Sequence, residues 1–172
     1  MRPRYLFALA LLSLPTMSRA IEEPRFQLVR QFEGIEIRDY PAQLTAGVEV
    51  AGPAERAGDE GFRLLAAYIF GKNRGETKLA MTAPVMQEPL DSDRMARATQ
   101  GNADGTFRVQ FVLPAALSPS AAPQPVDPRI TVRSTPATRL AAIRFSGFWT
   151  KANYEEHLGK LHAALRRAGL QS

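Results

Sequence analysis

The chain has 172 residues, with 22 lysines and arginines against 17 acidic residues, two histidines and no cysteine. Without cysteine there is no disulfide, no thiolate metal site and no thiol nucleophile, which excludes several functional classes at once. Length and composition are those of a single globular domain with a sizeable core.

Residues 1–20 have the pattern of a secretory signal peptide. Two arginines precede an apolar run over residues 5–14, too short to span a bilayer, and Ser18 and Ala20 are small residues where a signal peptidase reads. We expect cleavage after Ala20, a periplasmic or secreted product, and one mature domain over residues 21–172. Cleavage would remove three arginines, so the mature chain would have 19 basic residues against 17 acidic ones and its net charge would fall from +5 to +2. Nucleic acid is therefore not an expected partner.

The chain matches itself at an offset of 95 residues. Residues 35–42 align with residues 130–137, each stretch having strand-like alternation, an arginine and a Pro-Ala turn, and Gly52 aligns with Gly147. These shared positions favour a duplication over the alternative that two antiparallel hairpins share composition by chance. The predicted parts are a first repeat, a linker with four prolines and a second repeat, at about residues 26–113, 114–128 and 129–172.

A helix is predicted from about residue 59 to residue 70, with Gly71 as its stop. Phe62, Ala66 and Phe70 form one stripe, and a second stripe consists of Leu64, Leu65, Tyr68 and Ile69. A helix that is apolar on nearly all sides must be covered on two opposite faces to keep its side chains out of water. Either a sheet and loops cover it, or part of the first stripe is left for an apolar ligand or partner.

Basic residues follow this helix. Lys72, Arg74 and Lys78 cluster near its end, although a phosphate-binding loop is not indicated because the helix precedes the glycines. The cluster is either a solvated turn or a site for acidic groups of a ligand.

Alternating residues then predict three strands. Residues 78–85 alternate with period two and include Pro84, which places that strand at an edge or a bend. A strand over residues 85–90, a polar loop and a strand over residues 107–113 complete the first repeat.

The last helix is predicted over residues 151–168 with Thr150 as its N-cap. Its core face carries five residues, Tyr154, Leu158, Leu161, Leu165 and Ala168. His157 and His162 lie about 140° apart on it, so they cannot share a metal ion from one face, and no metal site is predicted.

Three stretches together resemble the SOUL family of heme-binding proteins. They are Lys78-Leu79-Ala80-Met81-Thr82-Ala83-Pro84-Val85, Phe111-Val112-Leu113-Pro114 with the proline-rich passage after it, and Phe145-Ser146-Gly147 followed by Tyr154-Glu155-Glu156-His157-Leu158. The resemblance runs from about residue 26 to residue 170. It implies an α+β fold similar to effector-binding domains, in which duplicated units of an antiparallel strand pair and a helix form a distorted barrel or sheet with two helices packed on it.

The resemblance also implies a function, an exported heme or tetrapyrrole binder or carrier. Heme would be covered by Phe62, Ala66, Phe70 and Met81, with Lys72, Arg74 or Lys78 meeting its propionates and His157 as an axial ligand candidate beside Met81, Met86 and the tyrosines. The alternatives are a protein-interaction or scaffold domain using the apolar helix face and, less favoured, a hydrolase. There is no Gly-x-Ser-x-Gly elbow and no histidine at a recognisable spacing from a serine, so no catalytic residue is predicted.

The repeats differ after their helices. Two strands are predicted after the helix of the first copy, when residues 78–90 are counted as one strand and residues 107–113 as the other. The sequence stops soon after the second helix, where SOUL proteins usually continue into a closing strand pair. We expect a shallower ligand groove and an exposed sheet edge, covered by a second subunit, the strand at residues 26–32 or a partner.

Overall fold

A computed structural model describes residues 21–90, 105–148 and 150–170. Within them the chain forms seven strands and two helices. In chain order these are β1 (Gln27–Phe32), β2 (Ile35–Tyr40), β3 (Gln43–Gly52), α1 (Ala54–Ile69), β4 (Val85–Pro89), β5 (Gly105–Val112), β6 (Thr131–Thr135), β7 (Thr138–Ile143) and α2 (Lys151–Arg167).

The strands form two antiparallel sheets, one in the order β1-β2-β7 and the other in the order β4-β5-β3-β6. Neither sheet closes into a barrel. The predicted α+β class and antiparallel strands are confirmed, as an open pair of sheets with helices.

Strand pairing between the two repeats follows the 95-residue offset. Tyr40 of β2 lies opposite Thr138 of β7, and their equivalents Thr135 of β6 and Gln43 of β3 lie opposite each other. The pairs therefore form between repeats, and the two strands of one repeat enter different sheets. A two-residue Pro-Ala link lacks the Gly or Asn that a tight hairpin turn requires, so it lets the chain cross from sheet to sheet instead.

The core lies between α1 and the β3–β5 pair. Val48 and Val109 are buried on the strands, and Leu65 and Tyr68 are buried on the helix. A Cβ atom at Gly61 would lie 2.6 Å from Val109 Cγ2, so this glycine allows helix and sheet to approach closely.

Helix α1 begins at Ala54, so the predicted start near residue 59 is wrong. The polar, glycine-containing stretch after Pro53 reads as a loop when taken alone. Its apolar side is nevertheless used, because Ala57 is fully buried in the core. Tertiary burial therefore outweighs weak local helix propensity in the first turns.

The predicted strand over residues 78–84 is also absent, and a ladder begins only at Val85. The stretch is held by separate bonds instead: the Leu79 amide donates to the Ile69 carbonyl oxygen at 2.8 Å, and the buried Thr82 hydroxyl donates to the Val112 carbonyl oxygen. Alternation still turns Leu79 and Met81 toward the core.

Helix α2 has the predicted N-cap, since the Thr150 hydroxyl accepts from the Asn153 amide at 3.2 Å. Its predicted core face is only partly covered. Leu165 is buried and Tyr154 is exposed, and the remaining members are half-buried. The reason is that α2 packs on β7, whereas α1 packs across both β3 and β5.

No helix in the described part of the chain is both long and apolar enough to cross a membrane.

Candidate functional site

The outer face of α1 carries an exposed aromatic stripe. Phe62, Ala66 and Phe70 follow one another at intervals of four residues, so they share this face; we call them the α1 stripe. Phe62 is 42% exposed and Phe70 is 61% exposed, while Ala66 is half-buried against the core. The ring of Phe62 meets the buried Phe111 ring edge-on, with centroids 5.3 Å apart. The stripe is thus an apolar surface whose Phe62 and Ala66 pack on the hydrophobic core beneath it.

Two predicted cations lie at the C-terminal end of the stripe. Lys78 precedes the Leu79–Ile69 hydrogen bond that joins this segment to the end of α1, and its Cγ atom would be 3.9 Å from a Cβ atom at Gly71. Lys72 is exposed two residues beyond Phe70. Both lysines belong to the segment that contacts the C-terminal end of α1, the partly negative end of the helix dipole, where cations are favoured.

Asn73 holds the loop that carries these lysines. Its side-chain amide donates to the carbonyl oxygens of Tyr68 and Thr77, both at 2.8 Å, and its side-chain oxygen accepts from the Thr77 amide at 3.0 Å. Asn73 is buried. Sequence reasoning missed it, and the only local signal was an asparagine between Gly71 and Gly75, a residue type common in turns.

The proline-rich linker packs against this same end of α1. The Tyr68 hydroxyl donates to the Pro123 carbonyl oxygen at 2.8 Å, and the Arg74 amide donates to the Gln124 carbonyl oxygen at 2.8 Å. Burial raises the pKa of the Tyr68 phenol. The linker therefore braces the loop of the lysines.

An acidic group also lies near Lys72. Arg129 holds the Asp127 carboxylate by side-chain and backbone hydrogen bonds, which lower the pKa of Asp127 to about 2, and the charge of Lys72 contributes least to this shift. Arg129 is therefore the main partner of the Asp127 carboxylate.

Two further predicted contacts, Met81 and His157, are not on α1. Met81 is half-buried and packs against the core. His157 is on α2, where its ring stacks on Phe145 with centroids 4.5 Å apart and its Nδ1 lies 2.8 Å from the Asn153 carbonyl oxygen. With the proton on Nδ1, this bond leaves Nε2 as the basic nitrogen. The helix of His157 packs on the three-stranded sheet, and the stripe belongs to the helix on the four-stranded sheet.

Five of the predicted contacts therefore share one surface. The structure brings Phe62, Ala66, Phe70, Lys72 and Lys78 to one face and end of α1.

A separate cavity of about 340 Å³ lies between the N-terminal segment, the β2–β3 crossover and the end of β5. Pro24, Leu44, Leu113 and Pro119 supply apolar lining, and Thr82 supplies a hydroxyl group. None of the predicted heme contacts lines this cavity. Its volume is at the lower end for small-ligand pockets.

Acidic and imidazole groups do not converge in the described ranges: no group of three or more histidine, aspartate or glutamate residues there is placed to hold a metal ion.

The fold and this surface define a duplicated α+β protein with an open apolar face flanked by cations. A family model described as SOUL heme-binding protein matches residues 21–172, nearly the whole chain. The chain belongs to the SOUL heme-binding protein family, which supports a heme- or tetrapyrrole-binding role in general. A search of curated proteins found no match.

Proposed function

We propose that this protein is an exported tetrapyrrole-binding or carrier protein that holds heme, non-covalently, on the α1 stripe, and that it binds its ligand without transforming it. The observation that carries the proposal is the exposure of Phe62 and Phe70 on one helix face beside Lys72 and Lys78. Exposed aromatic rings on a supported face are typical of a surface that a flat apolar ligand covers.

The stripe fits the apolar part of a tetrapyrrole. Two phenylalanines of these exposures leave roughly 200 Å² of ring surface in water, and covering it contributes about 5 kcal/mol. The matching face of the ligand contributes a similar amount, so both surfaces together contribute about 10 kcal/mol before the lysine contacts are added, and loss of ligand freedom offsets part of this gain. Modest, reversible binding in the micromolar range is therefore expected.

The lysines fit the acidic part. Lys72 and Lys78 are exposed at the end of the stripe and each donates to a carboxylate through a charge-assisted hydrogen bond. Ligand carboxylates at this end also avoid the opposite helix end, whose first turn holds Glu55.

The axial ligands fit less well. When bound, heme supplies an iron atom that accepts one or two protein ligands. Met81 packs against the core and His157 lies on the other helix, stacked on Phe145. The apolar face and the cations therefore provide most of the affinity, and a bis-histidine spectrum is not expected.

A titration with matched variants tests this proposal. Residues 21–172 are titrated with heme and, in parallel, with iron-free protoporphyrin; we expect a Soret shift that saturates at one molecule per chain for both. Phe62→Asp and Phe70→Asp should each weaken binding about tenfold or more, since a charge replaces buried ring area. Phe148→Asp is the control, because Phe148 is 90% exposed and lies outside the stripe.

Equal weakening by Phe148→Asp would contradict the proposed site. No spectral change at tens of micromolar ligand would instead favour the second candidate function, a protein-interaction domain that uses the same exposed stripe.

Export rests on residues 1–20, which lie outside the described residues. We expect exported material to begin at Ile21, as N-terminal sequencing of the product would show. Recovery of protein that retains Met1 would contradict export by cleavage.

A further inference from the structure

Strand β7 has one paired edge and one open edge. It pairs with β2 from Ile35–Ile143 to Tyr40–Thr138, and in the described ranges no strand pairs on its other side. Its equivalent in the first repeat, β3, lies between β5 and β6. The site that β5 occupies beside β3 is therefore open beside β7.

The side chains of β7 are apolar like those of β3 but are less covered. Ala46 and Val48 are buried beneath α1 and next to β5, whereas their equivalents Ala141 and Ile143 are only half-buried. A further strand beside β7, under the half-buried face of α2, would cover them in the same way.

The other sheet edges carry features that discourage pairing. β1 has an irregularity between Leu28 and Arg30, β4 contains Glu88 and ends in Pro89, and β6 has only five residues. β7 lacks such a feature. Its one charged residue, Arg139, is neutralised by an ion pair with Asp39 on the neighbouring strand, at 2.7 Å.

We propose that β7 pairs antiparallel with β7 of a second copy of this chain, joining two three-stranded sheets into one of six strands. The edge is complementary to itself because it is uncharged apart from the compensated Arg139. A two-fold axis perpendicular to the sheet keeps every side chain on its own face, so one residue lies opposite its own copy and the axis runs midway between the two. Leu140 or Ala141 satisfies this, since an axis at Arg139 would place two arginines opposite each other. The two α2 helices then lie on the same face, beside the junction.

A matched pair of charge substitutions tests the dimer. Leu140 on β7 and Leu28 on β1 both lie opposite Arg38, and they are 46% and 49% exposed. Leu140→Glu and Leu28→Glu therefore add the same carboxylate beside the same arginine. Only Leu140→Glu places two like charges near the two-fold axis.

By sedimentation or light scattering, residues 21–172 should form a dimer between micromolar and submillimolar concentration. Leu140→Glu should weaken dimerisation at least tenfold, and Leu28→Glu should leave it unchanged. A protein that stays monomeric throughout this range, with the edge covered by its own chain or left open, would overturn the proposal. Equal dissociation by the two variants would overturn it as well.

Single cysteines give a second readout, because the chain has none of its own. Leu140→Cys or Ala141→Cys, whichever lies opposite its own copy, should form an intermolecular disulfide under mild oxidation, and Leu28→Cys should not. Phe62→Asp, which tests heme binding, should leave the dimer intact. If Phe62→Asp dissociates the dimer, the α1 stripe is the interface and the β7 proposal is wrong.

Discussion

Asn73 shows how one buried polar side chain positions a functional loop. It replaces three missing backbone partners, at Tyr68 and Thr77, and so fixes the turn that carries Lys72 toward the α1 stripe. A buried amide that satisfies its donors and its acceptor rigidifies the segments that it joins.

We expect Asn73→Ala to lower the free energy of unfolding by about 2–3 kcal/mol, because it leaves buried backbone groups without partners. Denaturant unfolding measures this. Arg74→Ala is the control and should change the free energy by less than about 0.5 kcal/mol, since Arg74 is exposed. Similar losses in the two variants would contradict the role given to Asn73.

Asp127 gives a prediction about pH. Hydrogen bonds from Arg129 lower its pKa to about 2 in the folded chain, below the value of about 3.9 for an unfolded aspartate. Its stabilising contribution is therefore complete above about pH 4 and is lost as the pH falls through 2.

Arg129→Gln should return the pKa of Asp127 toward its ordinary value, as NMR titration of the carboxyl carbon would show. Asp39 provides the internal control, because Arg139 lowers its pKa independently. The backbone amide of residue 129 is retained in this variant, so a pKa of Asp127 that stays near 2 would mean that the Arg129 side chain is not the main cause.

At the scale of the element, two glycines lie within helices for different reasons: one allows close packing, and the other only lowers helix propensity. Gly61 on α1 faces Val109 with no room for a Cβ atom, whereas a Cβ atom added at Gly159 on α2 would have nothing within 4 Å. The same substitution should therefore have opposite effects on the two helices.

Gly61→Ala should destabilise the fold by about 1–3 kcal/mol through overpacking. Gly159→Ala should stabilise it by about 0.5–1 kcal/mol, because alanine has the higher helix propensity. Thermal or denaturant unfolding measures both. The Gly61→Ala, Val109→Ala double variant should lose less free energy of unfolding than the sum of the two single losses, and a loss that is simply additive would contradict the proposed contact.

At the scale of the whole molecule, the two repeats are covered to different extents. α1 lies on a strand pair that is buried below it, and α2 lies on β7 with a face that is half-buried. Local opening is easier where fewer apolar contacts are lost.

We therefore expect amide hydrogens in α2 and β7 to exchange faster than those in α1 and β3. Hydrogen exchange on the Leu140→Glu variant measures this without a contribution from self-association. Equal protection of the two helices would show that the repeats open as one cooperative unit.

Local chemistry was sufficient to predict several elements from the sequence. Alternating apolar residues located β2 and β5, and the Thr150 hydroxyl marked the start of α2. The offset of 95 residues also anticipated which positions are equivalent, as the symmetric pairing of Tyr40 and Gln43 shows. The strand alternation and the helix cap are signals that lie within a few residues, where sterics and hydrogen bonding act without the rest of the chain. The positions of Phe62, Ala66 and Phe70 on one helix face were likewise determined by helical spacing.

Tertiary structure decided what depends on distant partners. Residues 78–84 do not join a strand ladder because they bond to Val112 and to the end of α1 instead. The first turns of α1 are stabilised because Ala57 is buried in the core. Strand partners across the repeats and the exposure of Phe62 and Phe70 were decided in the same way. Pairing and burial are properties of two surfaces, and a sequence pattern specifies only one of them.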